Sequence, residues 1–203
     1  MLSILSSALS SALSSAKALE NGPNRSNICP ECGGAQVLRW ESAGRGRNIT
    51  LTSLSHEQCY KKYWKSIKEF DYKVTTFHHA IEAYKVADLL AEQGVCAAMW
   101  ADWWGFKHEA FDMVWENVAM VDQALSGKGC AIVHSDSAVG TQHLNQEAAK
   151  ALSAGNRSGL DINKARAIQW ITLNPAKALG IADQVGSLEA GKMGDVVIWS
   201  GDP

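Results

Sequence analysis

Gly94-Val-Cys-Ala-Ala-Met-Trp100 is a continuous apolar run, which predicts a strand buried on both faces. Tyr72-Lys-Val-Thr-Thr-Phe77 lies upstream and is rich in β-formers, and Gly129-Cys-Ala-Ile-Val-His134 is a second apolar run downstream. Helical patterns over residues 80–93 and about 107–125 separate these three stretches. Strands that alternate with helices predict right-handed βαβ units in an α/β fold with a parallel sheet. Three such units fit either a doubly wound sheet or part of a (β/α)8 barrel.

In both architectures the chemistry is expected at the carboxyl ends of the strands. This rule selects three places: Phe77-His78-His79, the stretch from Trp100 to His108, and His134-Ser135-Asp136. Consecutive strand residues point to opposite faces, so only one of His78 and His79 is expected to face a pocket while the strand continues. His134 and Asp136 are two residues apart and can share a face.

Imidazole and carboxylate groups at neighbouring strand ends are suitable ligands for a divalent metal such as zinc. A bound metal makes water acidic enough to ionise near neutral pH, and a carboxylate beside it can accept the proton. A hydrogen-bonded core histidine and an aspartate that caps a loop would give the same pattern. The residues alone leave both interpretations open.

The segment from Trp100 to Glu109 holds three tryptophans and a phenylalanine at a strand-to-helix connection. Such rings can form the wall of a pocket or can fill space in the core, and the pattern favours neither. The candidate substrate-binding residues are Trp103, Trp104, Lys107 and His134.

Residues 1–65 differ from the rest of the chain. They begin with a four-residue repeat of Leu, Ser, Ser and Ala, and residues 21–58 are rich in Gly, Asn, Ser and Arg without a sustained period. We therefore predict an irregular N-terminal segment over 1–65 and a folded domain over 66–203. The expected location is the cytoplasm. The alternative is that the first residues act as a targeting segment.

The odd number of cysteines, five, does not suggest a disulfide framework. Cys96 and Cys130 lie in apolar runs and are interpreted as buried thiols. A Cys-x-x-Cys pair and a later His-x-x-Cys pair could together hold a structural zinc. The four candidate ligands of that site are Cys29, Cys32, His56 and Cys59.

The composition indicates a globular protein rather than a disordered one. The chain has 203 residues, of which 46% are hydrophobic and 20% charged, and its net charge of −2 argues against binding to nucleic acid. No apolar run approaches the ~18 residues of a membrane span, so the protein is expected to be soluble. A small molecule is the expected partner, and the oligomeric state is left open.

Two C-terminal stretches carry a resemblance to a known family. Thr172-Leu-Asn-Pro-Ala-Lys-Ala-Leu-Gly-Ile181 and the Gly- and Asp-containing stretch from Val185 to Trp199 closely resemble the end of the amidohydrolase superfamily. Phe77-His-His-Ala-Ile-Glu-Ala-Tyr-Lys85 and the tryptophan-rich loop resemble the imidazolonepropionase-like members. The resemblance covers residues 66–203.

The resemblance implies a metal-dependent hydrolase of non-peptide C–N bonds, with a cyclic amide or imidazolone-like substrate and zinc or another divalent metal. It implies that the three strands are the last three of a (β/α)8 TIM-like barrel, followed at 185–199 by two short strands that begin a returning β-sandwich. By this resemblance His79 is a metal ligand, and Asp136 is both a metal ligand and the general base.

The chain departs from the family pattern, because the family's fourth-strand bridging residue and fifth-strand histidine have no counterpart here, and the first-strand ligands are missing as well. The family has a His-x-His pair on the first barrel strand, and this sequence contains no such pair. With only two ligands implied, we expect weak zinc binding and no measurable turnover by the chain alone. The alternative function is a non-catalytic remnant or binding module that holds a structural zinc at its N-terminal cysteines.

Overall fold

The computed structural model describes residues 37–41, 48–52, 73–105 and 110–201. Within these ranges five strands form one sheet in the order β1 to β5, with β1 antiparallel to β2 and every other neighbouring pair parallel. The three strands predicted from the sequence, β3 to β5, are therefore neighbours in one parallel sheet. The strands are β1 (Val37–Glu41), β2 (Asn48–Thr52), β3 (Lys73–His78), β4 (Cys96–Met99) and β5 (Ala131–Val133).

The interpretation of residues 21–58 as loop is wrong for β1 and β2, which extend the sheet beyond β3. In β2, Ile49 and Leu51 alternate with polar residues as a strand requires, but five residues are too few to stand out in a Gly- and Arg-rich stretch. The proposed division of the chain near residue 65 stays a prediction.

Helices and turns connect the parallel strands. Gly94, in the left-handed conformation at φ 64°, ends the first α-helix where the sequence predicts a stop. Short 3-10 segments precede or follow four of the α-helices, at Ala83–Val86, Gly140–His143 and Ile168–Ile171. The α-helices of the described residues are α1 (Ala87–Gln93), α2 (Asn117–Gly127), α3 (Leu144–Arg157), α4 (Lys164–Ala167) and α5 (Leu173–Ala178).

Helix α2 begins later than the sequence pattern indicates, at Asn117 rather than near residue 107. The Asn117 side chain donates to the carbonyl oxygens of Ala80 and Ile81 at 3.0 and 2.9 Å, and it accepts from the Tyr84 N–H at 2.9 Å. These buried bonds tie the first residue of α2 to the segment that follows β3. They fix where the helix starts, which local periodicity cannot predict.

The two faces of the central strands pack against different residues. Ala97, Met99 and Val133 join the main core with the helices. Ala98 and Ile132 point to the other face, where they pack with Ala178 of α5. Side chains alternate along a strand, so residues two positions apart share a face. The residues two positions after Ala98 and Ile132, just beyond the ends of the strands, are therefore expected on this second face.

Cys96 and Cys130 form a disulfide, so their interpretation as buried thiols is wrong. The main-chain N–H of Ala97 donates to the carbonyl oxygen of Cys130 at 2.9 Å, which brings the two cysteines together at the amino ends of β4 and β5. The Cα–Cα distance is 4.4 Å, across a sequence separation of 34. The pairing depends on strand register, which the cysteine count does not reveal.

The segment 185–199 does not form the two predicted strands. Residues 179–201 contain turns and irregular backbone but no helix or strand, and Ile198 is 92% exposed. A strand requires a neighbour for its backbone groups, and no described strand pairs with this segment. In the described part of the chain, no helix combines the length and the apolar character that a bilayer crossing needs.

Candidate metal centre

His78 and His79 lie in the same cluster, so the prediction that only one of them faces the site is wrong. Strand β3 ends at His78, and His79 has a positive φ of 57°. This left-handed residue breaks the alternation of the strand at its last position, and the two ring centroids are 4.1 Å apart. The prediction holds only while the strand continues, and here it does not.

His134 and Asp136 share a face, as their spacing predicts. Strand β5 ends at Val133, and the N–H of His134 still donates to the Met99 carbonyl oxygen at 3.1 Å. His134 therefore continues the face that carries Ile132. Its Nδ1 atom lies 3.7 Å from Oδ1 of Asp136.

A tight turn fixes the position of Asp136. The Oγ atom of Ser135 accepts from the N–H of Ser137 at 3.2 Å, and Oγ of Ser137 accepts from the N–H of Gly140 at 3.1 Å. A Cβ at Gly140 would lie 2.5 Å from Ser135 Oγ, so a larger residue there would displace the Ser135 hydroxyl. The turn thereby holds the carboxylate beside the histidines.

Asp136 joins the two strand ends. Its Oδ2 atom lies 2.9 Å from Nε2 of His79, whose side chain is 17% exposed, while Asp136 itself is 40% exposed. His78, His79, His134 and Asp136 can each offer one ligand atom such that all four atoms lie within 4.8 Å of one another. Three imidazoles and one carboxylate are a donor set that suits zinc and similar divalent metals, so the residues fit such an ion.

His134 is the most buried member of this group, with 3% of its side chain exposed. Burial is the main cause that lowers the pKa of His134 well below its ordinary value, and the neighbouring His78 and His79 act in the same direction. The ring is therefore neutral at pH 7, and a neutral imidazole nitrogen is the form that binds metals.

Tryptophan rings cover one side of the cluster. Trp100, which follows β4, is buried and stacks on His79 with centroids 4.6 Å apart, and Trp103 stacks on Trp100 at 5.2 Å. Trp104 points elsewhere: it is 55% exposed and donates from Nε1 to the Phe111 carbonyl oxygen at 3.0 Å. Among the three rings, Trp100 thus contacts a candidate ligand directly.

An ion pair attaches the tryptophan-rich loop to α3. Lys150 Nζ lies 2.9 Å from Oδ2 of Asp102 and 2.6 Å from Oε1 of Glu147. Its hydrogen bonds to Glu147 and then to Asp102 raise the pKa of Lys150. The loop between Trp100 and Trp103 is therefore positioned by a helix that follows β5.

Several candidate residues lie outside the described residues. These are Lys107 of the tryptophan-rich segment and the four candidate zinc ligands Cys29, Cys32, His56 and Cys59.

Sequence reasoning missed two features of the cluster. Trp100 appeared in a strand-end stretch, but nothing indicated that its ring would stack on His79. Strand alternation predicts that only one of His78 and His79 faces the pocket, and the family resemblance implies a metal role for His79 alone. The adjacent His-His pair at a strand end was the available signal, because a strand that ends between the two residues frees the second from the alternation.

Comparisons with known proteins show which family this chain resembles. The model of the amidohydrolase family matches residues 68–203. The amidohydrolase tasK of Hapsidospora irregularis is 33% identical over 177 residues, which is 82% of this chain and 17% of that protein. The imidazolonepropionase of Phocaeicola vulgatus is 54% identical over 43 residues, 21% of this chain and 10% of that protein.

A solved structure has a similar fold. The crystal structure of an amidohydrolase from Thermotoga maritima MSB8 superposes with a TM-score of 0.63 at 25% identity, and it covers 75% of this chain and 37% of that one. The chain thus spans much less than half of the relatives that it matches. Because the family model matches residues 68–203, which is well over half of the sequence, this chain belongs to the amidohydrolase family.

Proposed function

We propose that this chain carries the metal-binding and proton-accepting part of a metal-dependent amidohydrolase. Its substrate would be a small molecule with a non-peptide C–N bond, such as a cyclic amide or an imidazolone-like ring. The observation that carries the proposal is the 2.9 Å contact between His79 Nε2 and Asp136 Oδ2 at the carboxyl ends of two parallel strands. Active sites of α/β folds lie at this edge of the sheet.

The position of these strands in a complete fold is part of the proposal. We assign β3, β4 and β5 to the last three strands of a (β/α)8 barrel, with residues 185–199 leading into a β-sandwich. The parallel pairing of β3 with β4 and of β4 with β5, with a helix between each pair along the chain, supports this assignment. The described strands form an open sheet, in which β1 and β5 each have a single neighbour.

In this site His79 would offer Nε2 to a zinc ion or another divalent cation, and Asp136 would offer a carboxylate oxygen. Such a cation supplies Lewis-acid chemistry, because it lowers the pKa of water and polarises a carbonyl group. Asp136 is exposed enough to reach a substrate, unlike the buried rings around it. Trp103, which stacks over Trp100, would form an apolar wall of the pocket.

Asp136 would also move the proton in the reaction. Its carboxylate takes a proton from the attacking water as the new C–O bond forms at the carbonyl carbon. The C–N bond then breaks, and the same carboxyl group delivers the proton to the leaving nitrogen. The 2.9 Å separation of His79 Nε2 and Asp136 Oδ2 would keep this carboxylate beside the cation that both residues bind.

The alternative function, a binding module with zinc at the N-terminal cysteines, depends on residues outside the described ranges. No observation on the described residues favours it, and it stays a prediction.

Zinc binding and hydrolysis by purified variants test the proposal. We expect the chain to bind one Zn²⁺ and His79→Asn and Asp136→Asn to lose it, whereas Asp183→Asn, an exposed aspartate outside the cluster, retains it. Binding that is absent in the unmodified chain, or equal in all variants, would contradict the proposal.

Hydrolysis is assayed on cyclic imides, dihydroorotate-like rings and X-Pro dipeptides with added Zn²⁺. We expect no measurable turnover from the chain alone, because an open sheet supplies only part of a pocket wall. Turnover that Asp136→Asn abolishes and Asp183→Asn preserves would show that the chain is catalytically sufficient. That result would support the chemistry and contradict the expected incompleteness.

A further inference from the structure

We infer that His134 is a third protein ligand of the divalent cation that His79 and Asp136 hold. The three residues form a two-histidine, one-carboxylate set that comes entirely from the ends of β3 and β5. The inference rests on the proposed function, because it adds a ligand to the metal centre proposed above. It goes beyond the family resemblance, which assigns a metal only to His79 and Asp136.

The distances around Asp136 support the inference. Its Oδ2 atom lies 2.9 Å from His79 Nε2, and its Oδ1 atom lies 3.7 Å from His134 Nδ1. Two ligand atoms that are each ~2.0–2.1 Å from a tetrahedral zinc ion lie about 3.3 Å apart. The two separations in this structure fall on either side of that value. The carboxylate is therefore placed to share one cation with both imidazoles.

The burial of His134 is the second, independent observation. Neither ring nitrogen of His134 has a hydrogen-bond partner among the described residues, although the ring is almost fully buried. Its contact with Asp136 is too long for a hydrogen bond. Buried polar atoms in native proteins are nearly always satisfied, and an orphaned buried group calls for an explanation such as an ion. A cation beside Asp136 would satisfy Nδ1.

His78 belongs to the same group of donors, but we assign it a packing role. Its ring lies 4.1 Å from that of His79 and 4.3 Å from that of His134. Catalytic zinc sites have three protein ligands and keep one position for water, whereas four protein ligands close a structural site. A hydrolytic centre therefore needs three of the four donors, and Asp136 directly approaches His79 and His134.

Metal affinity in variants of the full chain tests the inference. Zn²⁺ and Co²⁺ affinities are measured by competition with a chelating dye, and folding is checked by circular dichroism. Because loss of a supporting residue alone lowers metal affinity 10–100-fold, we expect His134→Asn to weaken binding at least about a hundredfold. The matched control is His143→Asn, an exposed histidine outside the donor group, which should stay within about threefold of the unmodified chain. His78→Asn should stay within about tenfold.

A thiolate at the same position gives a spectroscopic readout. In a chain whose Cys29, Cys32 and Cys59 are replaced by serine, Co²⁺-loaded His134→Cys should show an intense near-ultraviolet sulfur-to-cobalt band, which His143→Cys should lack. If both His134 variants fail to fold, the Co²⁺ form of the unmodified chain decides. Its proton NMR spectrum should contain two paramagnetically shifted imidazole N–H signals.

The outcomes separate this inference from the proposed function. If the unmodified chain binds no cation, or if His79→Asn binds the cation as tightly as the unmodified chain, the proposed metal centre itself is wrong. If His79→Asn loses the cation but His134→Asn keeps it within threefold, only the inference is overturned. A single shifted N–H signal, or a folded His134→Cys protein that binds Co²⁺ without the sulfur band, would overturn it as well.

Discussion

His79 adopts a backbone conformation that non-glycine residues seldom occupy, with φ at 57°. Such residues cost on the order of 1–3 kcal/mol and occur preferentially at functional sites, where the surrounding structure enforces them. At this position the conformation turns the imidazole toward Asp136 and brings it beside His78. His79 is therefore both a candidate metal ligand and a residue with a strained backbone.

The strain predicts how stability depends on residue 79. In metal-free buffer, His79→Gly should be more stable to urea than His79→Ala by about 1 kcal/mol, because glycine adopts a positive φ without a steric penalty. His78 provides the matched control, since it lies in β3. There the glycine variant should be less stable than the alanine variant by roughly 0.5–1 kcal/mol. If the glycine and alanine variants had the same order of stability at both positions, the left-handed conformation of His79 would be contradicted.

At the scale of elements, the ends of β3 and β5 hold the candidate ligands, and the opposite ends of β4 and β5 carry the Cys96–Cys130 disulfide. The bridge joins two neighbouring parallel strands whose connection includes α2. Because β4 and β5 also carry Trp100 and His134, the disulfide supports the sheet that positions the site. The bridge sets the spacing of β4 and β5 at their amino ends, which lie opposite the ends that carry the cluster.

Removal of the bridge should reduce stability without a direct effect on the ligands. For a sequence separation of 34, the loss of loop-closure entropy in the unfolded chain corresponds to about 3–4 kcal/mol. We expect this loss in urea unfolding of the Cys96→Ala/Cys130→Ala variant, with the reduced unmodified chain as control. Free thiols at both positions after purification under oxidising conditions, detected by alkylation and mass spectrometry, would contradict the pairing.

The sequence predicted β3 to β5 because apolar or β-rich runs of strand length between helical patterns are a strong signal, whereas their order followed only from the family resemblance. The spacing of His134 and Asp136 predicted their common face. The position of His78 could not be predicted, because it depends on the residue at which β3 ends. The cysteine pairing required the register of β4 against β5, and β1 and β2 are too short to be recognised without their neighbours.

At the scale of the whole molecule, a buried polar network joins α2, α4 and the 3-10 segment that follows α4. The fully buried carboxylate of Asp122 on α2 accepts from Arg166 Nε at 2.8 and 3.0 Å and from Trp170 Nε1 at 2.8 Å. Arg166 also donates to the carbonyl oxygens of Gly127 and Gly129, just before β5. The network thus connects α2, α4 and the segment after α4 to the strand that leads to His134.

Asp122 should therefore be one of the most sensitive positions in the chain. Asp122→Ala leaves the guanidinium of Arg166 and the indole N–H of Trp170 without their common acceptor, and we expect a loss of about 3–5 kcal/mol. Asp161→Ala, at an exposed aspartate, should change stability by less than about 0.5 kcal/mol. Urea unfolding measures both variants. A loss below 1 kcal/mol at Asp122 would contradict the role of this network.

X-ray absorption at the zinc edge tests the central claim most directly, because it identifies the ligand atoms of bound zinc. The chain is loaded with one Zn²⁺ per molecule and measured in solution. The account predicts a shell of nitrogen and oxygen atoms at ~2.0–2.1 Å with imidazole scattering beyond it, and loss of this signal in His79→Asn. A shell that contains sulfur at ~2.3 Å would contradict the account, because it would place the zinc at cysteines instead of the His79–Asp136 site.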